Sequence, residues 1–567
     1  PAMDDAPITD DRRIGRRQLL GRAGGAAAAL AVGLGTGSRI VAGDATAAGA
    51  AVAQDGDEEV ALALDRIQGN VVAGFRQHLQ ALVLVTVPDA GAGRRWLAAL
   101  APSIASSAEV HAHNQAWEAA ADAGEDPPKA TFANVALTHA GLAALGRPRG
   151  ELRAFPRAFR EGMAARARRV GDTDASAPVT WPEPYRTPAH AMVIVAADEA
   201  ADLDAEVARQ RRLAADAGAT VVHVEQGAAR EDEPGHEHFG FRDGVSQPGL
   251  RGFTEAENPD DPEQGVPGQD LLWPGEFVLG YPRQAGVGGG EDAGPVARSG
   301  PDWTADGSYL VYRRLRQDVA AFHEFVAELA RAQDISEDLA GAKVVGRYKS
   351  GAPLEVTGAV ATDPGADDPV CDPHQINDFE FGDDLDGEVV PLAAHIRKTY
   401  SRDHPTDAGG EEDAQLHRLL RRGIPYGASY VAGESDPAPA FPDDRGLLFL
   451  AYQWSIEQQF EHVQRRFVND PDFPEPGAGQ DPVIAQSPAT GSFTLPGGRP
   501  DHVALMTRFV LTTGGDYFFA PSLPALAQLA EAPADDTPPP ADPPPDGGGR
   551  RRQPARDRTR PAGRRRR

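Results

Sequence analysis

Gln80-Ala81-Leu82-Val83-Leu84-Val85-Thr86-Val87 is the stretch from which the fold can be read. Six of its eight residues are apolar and three are valine, the pattern of a strand buried on both faces. Phe132 to Leu137, Met192 to Val195 and Val221 to Val224 read as three further strands. Thr138 is placed to cap a helix that runs through Leu145 and ends at Gly146, and a longer helix spans about Ala201 to Ala217. Four strands alternating with helices predict an α+β sandwich of ferredoxin-like type. The design then recurs. Tyr309 to Tyr312 and Leu447 to Tyr452 read as strands, and Asp318 to Ala332 and Ile456 to Phe467 as helices. The expected fold is therefore α+β, with two ferredoxin-like halves, each an antiparallel sheet with peripheral helices. Gly/Pro/Asp-rich insertions near 254–305 and 356–390 interrupt the second half.

Composition bounds the chemistry. The 567 residues include 62 Gly and 49 Pro, so loops and tails are abundant. Cys371 is the only cysteine, which excludes an intrachain disulfide framework, Cys-based zinc fingers and Cys-ligated iron–sulfur clusters. A metal or cofactor must be held by His, carboxylates or burial. No stretch has the roughly 20 unbroken apolar residues of a membrane span. A net charge of -28 opposes nucleic-acid binding over most of the surface. The last 18 residues reverse that sign, with ten arginines against Asp557 alone. Such a tail can meet an anionic surface, meet the protein's own acidic body, or stay solvated; its partner is left open.

Arg16-Arg17-Gln18-Leu19-Leu20 precedes an Ala/Gly/Leu run to Leu34, with small, cleavable residues from Ala42 to Ala50. This looks like a twin-arginine export signal, the alternative being an Ala-rich arm. It implies contact with export machinery and a periplasmic or extracellular location. The expected organisation is a signal and linker at 1–50, a first half at 51–239, a second half at 240–530 and a disordered Pro/Arg-rich tail at 531–567.

Three strings carry the chemistry. His238-Phe239-Gly240-Phe241-Arg242-Asp243-Gly244-Val245-Ser246-Gln247-Pro248 presents Asp243 between glycines that permit close backbone approach; an ordinary Asp-Gly turn fits as well. In Pro391-Leu392-Ala393-Ala394-His395-Ile396-Arg397-Lys398-Thr399-Tyr400-Ser401-Arg402-Asp403, one imidazole is followed by spaced bases. That suits an iron ligand beside arginines for anionic groups, and equally a core histidine beside surface bases. Leu419-Leu420-Arg421-Arg422-Gly423-Ile424-Pro425-Tyr426-Gly427 offers a guanidinium to charge developing on oxygen, or is a surface basic pair.

Taken in order, these strings resemble the dye-decolorising peroxidase family. So do Asp65 to Asn70, Asp306 to Val311, Val345 to Pro353 and Gly514 to Phe519. The likeness spans about 58–525. It implies one haem b (iron protoporphyrin IX) per chain, in the C-terminal half, with His395 as proximal iron ligand. It implies Asp243 as distal acid, Arg421 as distal arginine and Arg402 at a haem propionate, with Arg397 assisting. Asp481 looks like the carboxylate behind the proximal imidazole, and Leu447 and Phe449 line the distal wall. The implied activity reduces hydrogen peroxide while oxidising aromatic or dye-like reductants, bulky ones at the surface through Tyr452, Trp454, Tyr400 or Tyr426. Homo-oligomers are possible. A carboxylate base works best in acid, so a mildly acidic optimum is expected. Tyr400-Ser401, Gly423 and Val390-Pro391 depart from common family residues and leave the subclass open. A haem-handling, deferrochelatase-like protein with little turnover shares every haem contact. A non-haem site would use the pairs His236/His238 or His111/His113, read as neighbours on one strand face.

Overall fold

The computed structural model describes residues 60–433, 440–486, 491–496, 502–504 and 508–532. The signal reading at 1–50 and nearly all of the tail reading at 531–567 lie outside these residues.

Nine strands form one sheet: β1 (Leu79–Thr86), β2 (Thr131–Leu137), β3 (Ala191–Ala197), β4 (Thr220–Ala228), β5 (Ser308–Gln317), β6 (Leu420–Arg421), β7 (Ile424–Tyr426), β8 (Gly446–Gln453) and β9 (Val510–Ala520). Its order is β6-β8-β5-β9-β2-β3-β1-β4, with β7 also on β8. The first four strands pair antiparallel as β2-β3-β1-β4, and the second set repeats that order as β6-β8-β5-β9. Two βαββαβ units of ferredoxin-like type are thus laid edge to edge. They join where β9 meets β2, at Phe519 opposite Leu137. At the other edges β4 comes against β7. Gly227 permits that approach, because a Cβ there would lie 2.5 Å from the Ile424 side chain. β1 and β3 are buried along nearly their whole length, as their continuous apolar runs require.

The helices cover the sheet. In the first half α1 (Ala90–Leu100) starts at Asp89, whose side chain accepts from Ala92 N at 2.9 Å. α2 (Ser107–Ala123) opens with a capping box between Ser106 and Glu109, and α3 (Ala200–Ala217) ends at left-handed Gly218. In the second half α4 (Val319–Gln333) follows β5. The crossover to β6 then runs through residues 334–419 and carries the short helix α5 (His395–Thr399).

Three expectations need correction. The helix expected over Ile456 to Phe467 begins only at Phe460 and continues as a π-helical turn, Val463–Val468. Gln459 delays it, because its side chain accepts from Trp454 N and Ser455 N and holds the chain in a turn. His111 and His113 lie on helix α2, where residues two apart point to different faces, not on a strand. His236 and His238 are spent separately, on the carbonyls of Pro234 and Tyr426, and His238 is buried.

Candidate active site

The face of β5 and β8 turned toward α4 and the crossover forms one wall of a cavity of about 300 Å³. Leu315 stands opposite Leu447 and Arg313 opposite Phe449, and the two-residue period of the strands puts all four on that wall. Phe239 and Phe241 add apolar surface from a loop, and Ile396 from α5.

His395 enters from the first turn of α5. Its Nδ1 lies 2.8 Å from Asp481 Oδ2, and Asp481 is buried. Asp481 Oδ1 accepts from Val483 N (2.7 Å) and Ile484 N (3.0 Å), so the carboxylate is fixed before it meets the imidazole. That bond assigns the Nδ1–H tautomer and leaves the Nε2 lone pair for a ligand. Burial opposes charge on His395, but Asp481 outweighs it and holds the imidazole above its usual range. One turn on, the buried Lys398 donates to the carbonyls of Asp470, Phe473 and Gly479, pinning the segment that leads to Asp481.

The other end of the cavity is a loop folded around Glu237. Its carboxylate accepts from Phe239 N and Phe241 N, each at 2.9 Å, and from the Gln317 side chain. Burial pushes Glu237 up to about 6. Asp243 emerges from this loop, its Oδ1 accepting from Gly244 N and lying 3.4 Å from an Arg421 Nη. Arg421 is fixed by the Ser246 carbonyl (2.7 Å) and by a two-way bond between its backbone and the Gln247 amide. The charges of both Arg421 and Asp243 act on His395 across the cavity.

Arg402 is buried, lines the cavity, donates to the Phe379 carbonyl at 2.8 Å, sits 4.0 Å over the Phe379 ring and has Glu380 at 3.9 Å. Arg347, to which no sequence signal assigns a role, lines the same wall. It is buried, and among the described residues its guanidinium has only neutral acceptors: the carbonyls of Gly351 and Ile376 and the Asn377 side chain. Burial first, then the neighbouring Arg402, Arg421 and Arg242, lower it to about 9. A buried cation without a carboxylate partner, beside a second one, fits an anionic group entering the cavity. With an apolar wall and a free imidazole nitrogen, these features match a haem with its propionates. Arg397 does not join them. It is fully buried outside the cavity, bonded to Asp384, the Val390 carbonyl and His404, because α5 turns it to the far side of the helix from His395. Of the four aromatics expected as surface relays, Tyr452, Trp454 and Tyr426 are buried. Tyr400 is half-buried, lines the cavity and donates to Asp270 at 2.6 Å.

The fold and cavity place the chain among α+β barrel proteins built around an internal prosthetic-group site. Residues 66–231 match the DyP dimeric alpha+beta barrel domain, and residues 290–475 the C-terminal domain of Dyp-type peroxidases. Peroxidase 2 of Mycetinis scorodonius is 32% identical over 493 residues, covering 82% of this chain and 87% of that protein. The multifunctional dye peroxidase DyP2 of an Amycolatopsis species is 32% identical over 493 residues, covering 83% and 97%. Among solved structures, an ancestral D-type dye-decolorizing peroxidase superposes with a TM-score of 0.71 at 31% identity, over 83% of this chain and all of that one. A dye-decolorizing peroxidase in complex with 2,6-dimethoxyphenol gives 0.67 at 30%, with the same coverage. The chain belongs to the dye-decolorising peroxidase family, whose peroxidases are haem-dependent, and it is an oxidoreductase acting on peroxide.

Proposed function

We propose that the cavity holds one haem b, with His395 Nε2 on its iron and Arg402 and Arg347 at its propionates. Asp243 and Arg421 would then handle peroxide, and the enzyme would oxidise bulky aromatic or dye-like reductants. One observation carries the reading: His395, backed by Asp481, and the Asp243–Arg421 pair line one cavity. When bound, haem supplies the redox chemistry that cleaves the O–O bond. The chain supplies the proton chemistry. Asp243 takes a proton from one peroxide oxygen and returns it to the other, directly or through one water, so that water departs. Arg421, held rigid by Ser246 and Gln247, places positive charge beside the departing oxygen without reorganising. Asp481 keeps the Nδ1 proton of His395 and so keeps Nε2 basic.

A haem-carrying role with little turnover has less support, since deferrochelatase matches over only 29% of each chain. Export by a twin-arginine route, to the periplasm or beyond, remains part of the proposal on the strength of Arg16-Arg17 and the weakly apolar run after it. The test is peroxide-dependent turnover of an anthraquinone dye by wild type and Asp243→Asn. A loss of roughly 10²- to 10⁴-fold in the variant, with haem retained, is expected for a proton shuttle. Equal turnover would overturn the assignment.

A further inference from the structure

Although the chain carries a net charge of -28, residues 147–169 hold eight arginines and two glutamates. Some of these arginines are neutralised internally: Arg147 pairs with Glu151, and Arg166 with Glu461 and Glu161. Others are not. The short helices Arg149–Ala154 and Arg157–Glu161 turn Arg149, Arg153, Arg157 and Arg160, with Glu161, into one open depression that His139 and Leu152 also line. Among the described residues only Arg157 of these four has an acidic partner, Glu161, which it shares with Arg166. Arg149, Arg153 and Arg160 are exposed.

His139 is the outer end of an aromatic stack. The His139 ring meets Phe159 edge-on with centroids 5.8 Å apart, Phe159 meets Tyr309 at 5.4 Å, and Tyr309 meets Phe519 at 5.3 Å. Phe519 and Tyr517 share one face of β9, and Tyr517 lies 6.1 Å from Phe460, which lines the cavity. The helix bearing Arg157 and Arg160 is itself tied to the segment before Phe460, through Ala158 N and Glu457 at 2.6 Å.

We infer that this depression is an outer binding site for aromatic anions, molecules bearing a sulfonate or carboxylate on a fused ring. Guanidinium groups bind such anions through charge-assisted hydrogen bonds and also stack on flat rings. In a chain with a net charge of -28, the depression is a local concentration of positive charge. Binding stands on its own. Electron transfer from the bound molecule rests on the peroxidase reading: a bound phenolic donor gives one electron inward and its phenolic proton to solvent. Two donors thereby replace the two electrons used to reduce one peroxide to water.

The test uses the full-length holoenzyme and three fluorescent probes with the same ring: 2-naphthol-6-sulfonate, 6-hydroxy-2-naphthoate and neutral 2-naphthol. Titrations without peroxide compare wild type with the triple variant Arg149→Ala/Arg153→Ala/Arg160→Ala and with the corresponding triple lysine variant, haem absorption confirming that each is folded. The expected result is tighter binding of both anions than of 2-naphthol, weakened by salt. The alanine variant should lose about tenfold or more in affinity, and the lysine variant should recover part of it. With peroxide, KM should rise in the alanine variant for the sulfonate but not for 2-naphthol. Unchanged anion affinity in the alanine variant would overturn the inference. So would displacement of the probes by inorganic sulfate at equal concentration, which marks a generic anion site, or arginine-dependent binding of phosphatidylglycerol vesicles in place of the probes, which marks a membrane-facing surface. Loss of anion binding with no dye turnover in any protein would spare the site and sink the peroxidase reading instead.

Discussion

Replacing Asp481 with Asn tests the proximal arrangement at a single atom. Asp481 Oδ1 can keep its two bonds to Val483 N and Ile484 N, because the Asn oxygen accepts equally well. The change falls on the other atom, where an NH₂ replaces the Oδ2 that lies 2.8 Å from His395 Nδ1. Two donors then face each other. The imidazole relieves the conflict by moving its proton to Nε2, the atom proposed to hold iron. A buried, charge-assisted hydrogen bond contributes about 1.5–3 kcal/mol. At about 1.4 kcal/mol per factor of ten, its loss corresponds to roughly 10- to 100-fold weaker haem retention. The assay is haem transfer to excess apomyoglobin, followed through the Soret band, with the iron reduction potential as a second readout. Weaker retention and a raised potential are expected, since a less basic imidazole stabilises the ferric state less. Retention within threefold of wild type and an unmoved potential would refute the reasoning.

Two buried carboxyls each contribute stability that falls as pH rises from about 4.5 toward 7. Burial pushes Glu276 up to about 7 and Asp516 up to about 6. Each folded carboxyl therefore keeps its proton over a range where the unfolded chain has released it. The stability this gives is fully present below the unfolded pKa and is lost by the folded one. Burial lowers His238 and His462 to about 4, which acts the opposite way, so the test is a difference. Between pH 5 and pH 8 the urea stability of Glu276→Gln should gain relative to wild type as pH rises, and a relative loss would contradict this. Gly515→Ala should destabilise by about 1–3 kcal/mol or more, because φ is +140° and a Cβ would fall on the Tyr312 carbonyl of the neighbouring strand; an unchanged urea midpoint would contradict it. Arg347→Met should weaken haem retention more than Arg397→Met weakens it, since only Arg347 faces the cavity. The reverse order would return Arg397 to the site.

The strands of the first half were legible because β1 and β3 are buried on both faces and read as unbroken apolar runs. β9 was not legible as a strand, although it joins the halves. Gly514 and Gly515 interrupt its pattern, and they are there because Tyr185 and the β5 backbone crowd that point. Helix α2 was missed despite its Ser106-x-x-Glu109 capping box, because it buries only Ser107 and Val110 and so shows little periodicity. Asp243, His395 and Arg421 come together from positions far apart in the chain; spacing alone left each with an ordinary alternative, and the family resemblance brought them into one site. Arg397 and Arg402 are neighbours in one string, but Arg397 sits on the face of α5 away from His395 while Arg402 follows the end of that helix, and neither placement is fixed until the bounds of α5 are known. Arg347 is a buried cation whose acceptors come from residues 351–377, which no local pattern predicts. The arginine depression lies in a run of charge at 147–169 that the sequence reading did not single out, and only the fold turns four of those side chains into one place.

Every role proposed for the cavity depends on His395 and the group it holds. The deciding measurement is the absorption spectrum of purified wild type and His395→Ala, before and after peroxide. The expected result is a wild-type Soret band that shifts on peroxide, and in the variant either lost haem or altered ligation that added imidazole restores. A wild type with no Soret band even after haem reconstitution, or a variant whose spectrum and peroxide response match the wild type, would contradict the assignment of His395 as the iron ligand.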